Sequence, residues 1–166
     1  MYADILRKLL LFVALVLVQA LVLNHMQLFG CATPMVCVLF VLLFRRNYPK
    51  WAILVWCFAL GLSLDTFSNT PGVSAASMTL VGCLQPYLLE TFIQRESDDD
   101  LLPSMRSMGI LKYIYYSLLM VLVYCTTFFS LEAFSFFNWE HWLMSIGGST
   151  LVTVILIWVI EAIRKN

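Results

Sequence analysis

The chain has 166 residues, of which 61% are hydrophobic and only 12% charged, and its formal net charge is zero. A water-soluble domain needs about a quarter of its residues charged to cover its surface, so much of this exterior is expected to face lipid rather than water. The neutral balance, with no basic cluster interleaved with aromatics, speaks against a nucleic-acid partner.

The first apolar stretch, Ile5 to Leu23, follows M-Y-A-D-I-L-R-K and superficially resembles a signal peptide. It is long, no small-x-small cleavage site follows, and Asn24-His25-Met26-Gln27 ends it abruptly, so it reads as a retained first span. Five more stretches follow: Pro34 to Tyr48, Trp51 to Leu64, Pro71 to Ile93, Ile110 to Phe129 and His141 to Ile163. The second and third are short for a bilayer that needs about 20 helical residues, and they would thin the membrane locally or recruit flanking residues. The expected fold is all-α, a single six-helix transmembrane bundle over residues 1–166, with a re-entrant hairpin in place of two spans as the alternative.

Orientation follows from Lys and Arg. With six spans, Arg7, Lys8, Arg45, Arg46, Lys50, Arg95, Arg106, Lys112, Arg164 and Lys165 all fall at the two termini, in the loop between spans two and three, or in the loop between four and five. The other loops carry none, and the positive-inside bias then places both termini in the cytoplasm. Dropping one span would scatter the charges over both faces, whereas a hairpin replacing two would preserve the pattern.

Helix starts agree with these breaks. Thr33-Pro34 and Thr70-Pro71 each put a capping hydroxyl before a proline at the first helical position, and Asn138 is placed to cap the sixth helix. Pro86 removes a backbone bond to Gly82 and should kink the fourth helix. The run Asp98-Asp99-Asp100 reads as a solvated linker, since it lacks regular ligand spacing.

Asp65 lies near the outer end of the third span, where an ionisable group is costly unless it reaches water or a partner. Two readings stand side by side. One is a polar anchor or partner contact; the other is a carboxylate capping local backbone donors, those of Ser68 and Asn69 or of the start of helix four. Glu90 and Glu161 are expected at the inner interface, within reach of water. His25 and His141 are expected to be solvated, and no spacing asks for a metal. Cys31, Cys37, Cys57, Cys83 and Cys125 show no CxxC pairing and read as small packing residues.

The fourth span is rich in small residues, including Ala75, Ala76, Thr79 and Gly82, which let helices approach closely in lipid. Gly147 and Gly148 give the sixth a similar patch. No HExxH, GxSxG or P-loop motif occurs, and the chain reads as a non-enzyme without a cofactor.

The segment from Gly61 to Phe92 resembles the bacterial rod shape-determining MreD family, through Gly61, Asp65, Ser68 and Gly72. Gln19 late in the first span and Pro34 opening the second agree in outline. The turn between Asp65 and Gly72 is about one residue shorter than the family pattern, with Pro71 directly before the Gly. The resemblance implies a non-catalytic inner-membrane subunit of the cell-wall elongation machinery. It would bind the single-span partner MreC and link the actin-like MreB filaments to the peptidoglycan synthases, RodA and its transpeptidase. It also implies a fold similar to the substrate-binding subunits of energy-coupling-factor vitamin transporters. A vitamin-binding transporter subunit is accordingly the alternative function, and self-association is left open. An intramembrane enzyme using Asp65 with a second acid is the weakest reading.

Overall fold

A computed structural model describes residues 2–22, 33–93, 103, 108–133 and 139–165. Among them the chain is helical, with no strand. Helix α1 (Tyr2–Leu17) continues into a π-helical turn, Val18–Val22. Then come α2 (Val38–Leu42), α3 (Lys50–Ser68), α4 (Val73–Phe92), α5 (Ile110–Ala133) and α6 (Trp139–Lys165). His25, Cys31, Asn138, the Asp98–Asp100 run and the side chain of His141 lie outside the described residues.

The packing follows chain order. Helices α3 and α4 form a hairpin, α5 lies against α4, and α6 lies against α5, while α1 rests on α2 and α3. Lys50–Ser68, Ile110–Ala133 and Trp142–Ile163 are each long and apolar enough to cross a membrane. At about 1.5 Å per residue the 24 residues of α5 span roughly 36 Å, more than a hydrocarbon core of about 30 Å. The outward faces are apolar too: Leu6, Leu10, Trp51, Leu111, Met144 and Ile163 all stand exposed. In water such a surface would aggregate; against acyl chains it is stable. The chain thus has the character of a transmembrane helical protein.

The second apolar stretch departs from expectation. Instead of a helix over Pro34–Tyr48, residues 33–35 are non-helical, residues 36 and 37 turn, and only the five residues Val38–Leu42 are α-helical. Every residue from Pro34 to Leu42 is buried, and so is Phe44. Thr33 therefore does not cap a helix. Pro34 is not a first helical residue, and Cys37 occupies the N-cap position of α2. Because neighbours surround this strap on all sides, its sequence is uniformly apolar, which mimics a spanning helix.

The strap runs antiparallel to α1. Gln19 pairs with Pro34 and Val36, the Phe12 ring meets the Phe40 ring edge-on at 6.0 Å between centroids, and Lys8 reaches Phe44 and Tyr48. Phe40 also lies 6.2 Å from Trp56 of α3, and α2 contacts α4 and α5. Helix α4 runs on through Pro86 to Phe92.

Candidate functional site

Two polar centres stand out in this apolar structure, one at the α3–α4 turn and one around the strap.

At the first, α3 ends at Ser68, Asn69 turns in the left-handed region at φ 55°, and Gly72 follows at φ 83° as the N-cap of α4. Gly72 has no side chain to cap the helix it opens. Asp65, one turn back on α3, does so instead: its Oδ1 accepts from the Ser74 amide at 2.8 Å and its Oδ2 from the Ala75 amide at 3.0 Å. These are second- and third-position amides of α4, the donors a helix start leaves unpaired. The carboxylate also meets the positive end of the helix dipole. The Thr70 hydroxyl donates to Oδ1 at 3.0 Å. Thr70 is thus a support for Asp65 rather than the cap, and Pro71 precedes the helix instead of opening it.

Asp65 is only 7% exposed, and both its oxygens are already engaged. Of its two sequence readings, the geometry supplies the capping one, at the start of helix four. One turn earlier Gly61 lies directly against the backbone of α4. A Cβ there would come within 2.7 Å of the Ala75 amide nitrogen and of the Ser74 carbonyl oxygen. Gly61, Asp65 and Gly72 therefore act on one short stretch of α4. Gly82 provides a second close approach, where a Cβ would fall 2.7 Å from the Cys57 sulfur.

The remaining small residues divide. Ala75 is buried in the hairpin, whereas Ala76 faces outward, and the half-buried Thr79 bonds its hydroxyl to the Ala75 carbonyl within its own helix. Gly147 is exposed, and a Cβ there would meet nothing within 4 Å, so no other described helix of this chain approaches it. It lies on the side of α6 away from Ser145, Ser149 and Thr153, which face inward. Gly148 is half-buried between these two faces, and Ser68 is likewise half-buried at the end of α3.

The second centre supports the strap. The Thr33 amide donates to Ser149 Oγ at 3.1 Å, and the Met35 amide to Thr153 Oγ1 at 2.9 Å. Gln19 Oε1 accepts from the Val36 amide at 3.0 Å, while its Nε2 donates to the Pro34 carbonyl at 2.9 Å. Pro34 has no amide hydrogen. Every backbone donor from 33 to 36 is thereby satisfied, by side chains rather than by helix. Non-helical backbone at membrane depth is tolerated only when buried in protein with such partners. Further along, the Val38, Leu39 and Phe40 amides bond to the carbonyls three residues back. Gln85 Nε2 makes a long contact of 3.5 Å with the Phe44 carbonyl. The Lys8 ammonium sits 3.3 Å from the Tyr48 ring centroid and 5.2 Å from that of Phe44.

Thr153 and Gln85 belong to none of the sequence motifs, and Ser149 is the third residue of the small-residue patch Gly147-Gly148-Ser149. The available signal was periodicity. Ser145, Ser149, Thr153, Ile157 and Glu161 recur every four residues on an otherwise apolar helix, and all are buried. Glu161 lies on this inward stripe, 5% exposed and engaged with a partner, so it is not the water-reaching interfacial acid expected. Glu90, by contrast, is exposed near the end of α4. Cys37, Cys57 and Cys125 are buried free thiols, while Cys83 is exposed on α4. Among the described residues no group of three or more His, Cys, Asp or Glu is placed to hold a metal.

Comparison with known proteins gives no match to a protein-family model, to a curated protein or to a solved structure.

Proposed function

We propose that this chain is a non-catalytic scaffold of bacterial cell-wall elongation, a multi-pass inner-membrane subunit that binds an MreC-like single-span protein. Through that partner it would couple the cytoskeleton to RodA and its transpeptidase and so maintain cell shape. The observation that carries the reading is the α3–α4 hairpin. Three of the residues behind the MreD resemblance, Gly61, Asp65 and Gly72, act together there: one admits the neighbouring backbone, one caps α4, and one opens it. A carboxylate committed to three hydrogen bonds suits a rigid docking element better than an acid–base catalyst.

The proposed topology has six crossings, the second made by the strap, with both termini in the cytoplasm. The distribution of the ten Lys and Arg supports it. A vitamin-binding subunit would need space between its helices. Here Met35, Phe40 and Phe44 of the strap are buried in the hydrophobic core, which weighs toward the scaffold.

Affinity purification of the tagged chain from gently solubilised membranes tests the reading. Recovery of a single-span MreC-like protein and elongation synthases is expected, and depletion in a rod-shaped host should round the cells. Recovery of transporter ATPases without wall enzymes, or unchanged rods after deletion, would overturn it. Reporter fusions at both ends test the topology; a periplasmic signal from either end would refute it.

A further inference from the structure

We propose that residues 33–44 form a latched strap, a conformational element that opens as a unit while the surrounding helices stay folded, with Gln19, Ser149 and Thr153 as the latch. The inference does not depend on the function proposed above.

Three observations lead to it. First, the leading part of the strap makes no helical hydrogen bonds from its own amides up to Val36. Its donors rest on Gln19 of the π-helical turn and on α6, the latter more than a hundred residues away in sequence. A shift of α6 breaks the Thr33 and Met35 bonds together, and a shift of the π-helical turn breaks both Gln19 bonds together, whereas amides within a helix keep their partners. Second, α2 has only five residues, well below the length of about 12 at which isolated helices become even marginal. The strap cannot hold its shape alone.

Third, Gln19 sits in the π-helical turn. Such turns are single-turn insertions that recur at functional positions. Moving the insertion by one residue would swing the Gln19 amide by about 100° around α1, breaking its two bonds to the strap in one step. Leu6, Leu10, Val13 and Leu17 of α1 and Leu21 of the π-helical turn are exposed apolar residues, so α1 can turn against lipid at little cost. The α3–α4 hairpin has no such dependence, being held by Asp65 and by the Gly61–Ala75 approach.

Native thiols report on this directly. Cys37 lies in the strap, Cys57 in α3 and Cys125 in α5, all buried; Cys83 is exposed and serves as the labelling control. Full-length protein in lipid is treated with a membrane-permeant maleimide. Modification of each cysteine is read by mass spectrometry and normalised to its rate in denatured protein. In the wild type, Cys37 should react at least about ten-fold faster than Cys57 and Cys125. Ser149→Ala or Thr153→Val should each accelerate Cys37 by roughly another ten-fold, the consequence of one buried amide left unpaired, without accelerating Cys57. Thr153→Ser should keep the wild-type rate. Equal rates at the three buried thiols, or an unmodified Cys37 once Cys83 is fully labelled, would overturn the proposal. The wild-type ratio decides even if the variants fail to fold.

Discussion

Gly61 lies so close to Ala75 that their two helices meet backbone to backbone, with no side chain between them. The obstacle to a larger residue is the main chain of α4, which cannot rotate aside as a flexible side chain would. Gly61→Ala should therefore destabilise the protein by about 1–3 kcal/mol, the usual cost of overpacking, or more if the hairpin must splay. Gly147→Ala, where the added methyl meets open space, should be neutral or slightly stabilising through helix propensity. Parallel thermal unfolding in one detergent measures both, and equal losses would contradict the close approach.

Asp65 offers a test that separates structure from function. Asp65→Ala leaves the Ser74 and Ala75 amides and the Thr70 hydroxyl without their acceptor. A lost cap costs about 0.5–2 kcal/mol, and burial of the orphaned donors adds to that. Asp65→Asn keeps one acceptor oxygen but turns an amide group toward a donor, so its loss should be intermediate. If stability ranks as Asp, Asn, Ala and partner binding follows the same order, capping accounts for the residue. Binding lost in a fully stable Asp65→Asn protein would instead show that a partner reads the charge.

The contact just past the end of the strap should be less sensitive. Lys8 stacks on Tyr48 from a partly exposed position, where a cation–π contact contributes about 0.5–1 kcal/mol. Lys8→Met should lose that amount, and Lys8→Arg should retain it. Tyr48→Leu should match Lys8→Met, with the double variant no worse than either single one. Additive losses in this double-mutant cycle would show that the contact does not couple.

How much of this could be read from the sequence depends on where each residue finds its partners. Helix α4 is expected over Pro71–Ile93 and observed over Val73–Phe92, because its apolar run and its turn are local features. Its cap was half legible: Asp65 and the start of helix four could be paired as one alternative, but Thr70-Pro71 looked like a self-sufficient start. The strap does not form the continuous helix its sequence predicts: an uninterrupted apolar run looks alike whether it is helical in lipid or irregular and surrounded by protein. The hydroxyls of α6, far along the chain, together with the Gln19 amide explain why Thr33–Val36 need not be helical. Gly147 meets a related limit, since composition shows that a helix can be approached closely but not which of its faces is turned toward its own bundle.

Gln19 gives the sharpest prediction, because its side chain donates to one strap residue and accepts from another two positions on. No other natural side chain of that length supplies both groups. Gln19→Glu can still accept from the Val36 amide, but it sets an oxygen against the Pro34 carbonyl and buries a charge, which is costly in an apolar interior. Gln19→Leu matches the size and abandons both bonds. Each bond left with a buried, unpaired partner costs about 1–3 kcal/mol, so Gln19→Leu, which abandons two, should lose about 2–6 kcal/mol and Gln19→Glu at least as much near neutral pH. Lowering the pH should rescue Gln19→Glu selectively, since the protonated carboxyl regains a donor for Pro34, while Gln19→Leu stays impaired. Unfolding midpoints of both variants across pH 4–8 in the same detergent would show this. Parallel pH profiles for the two would mean that the side chain at position 19 fills space and does not hold the strap.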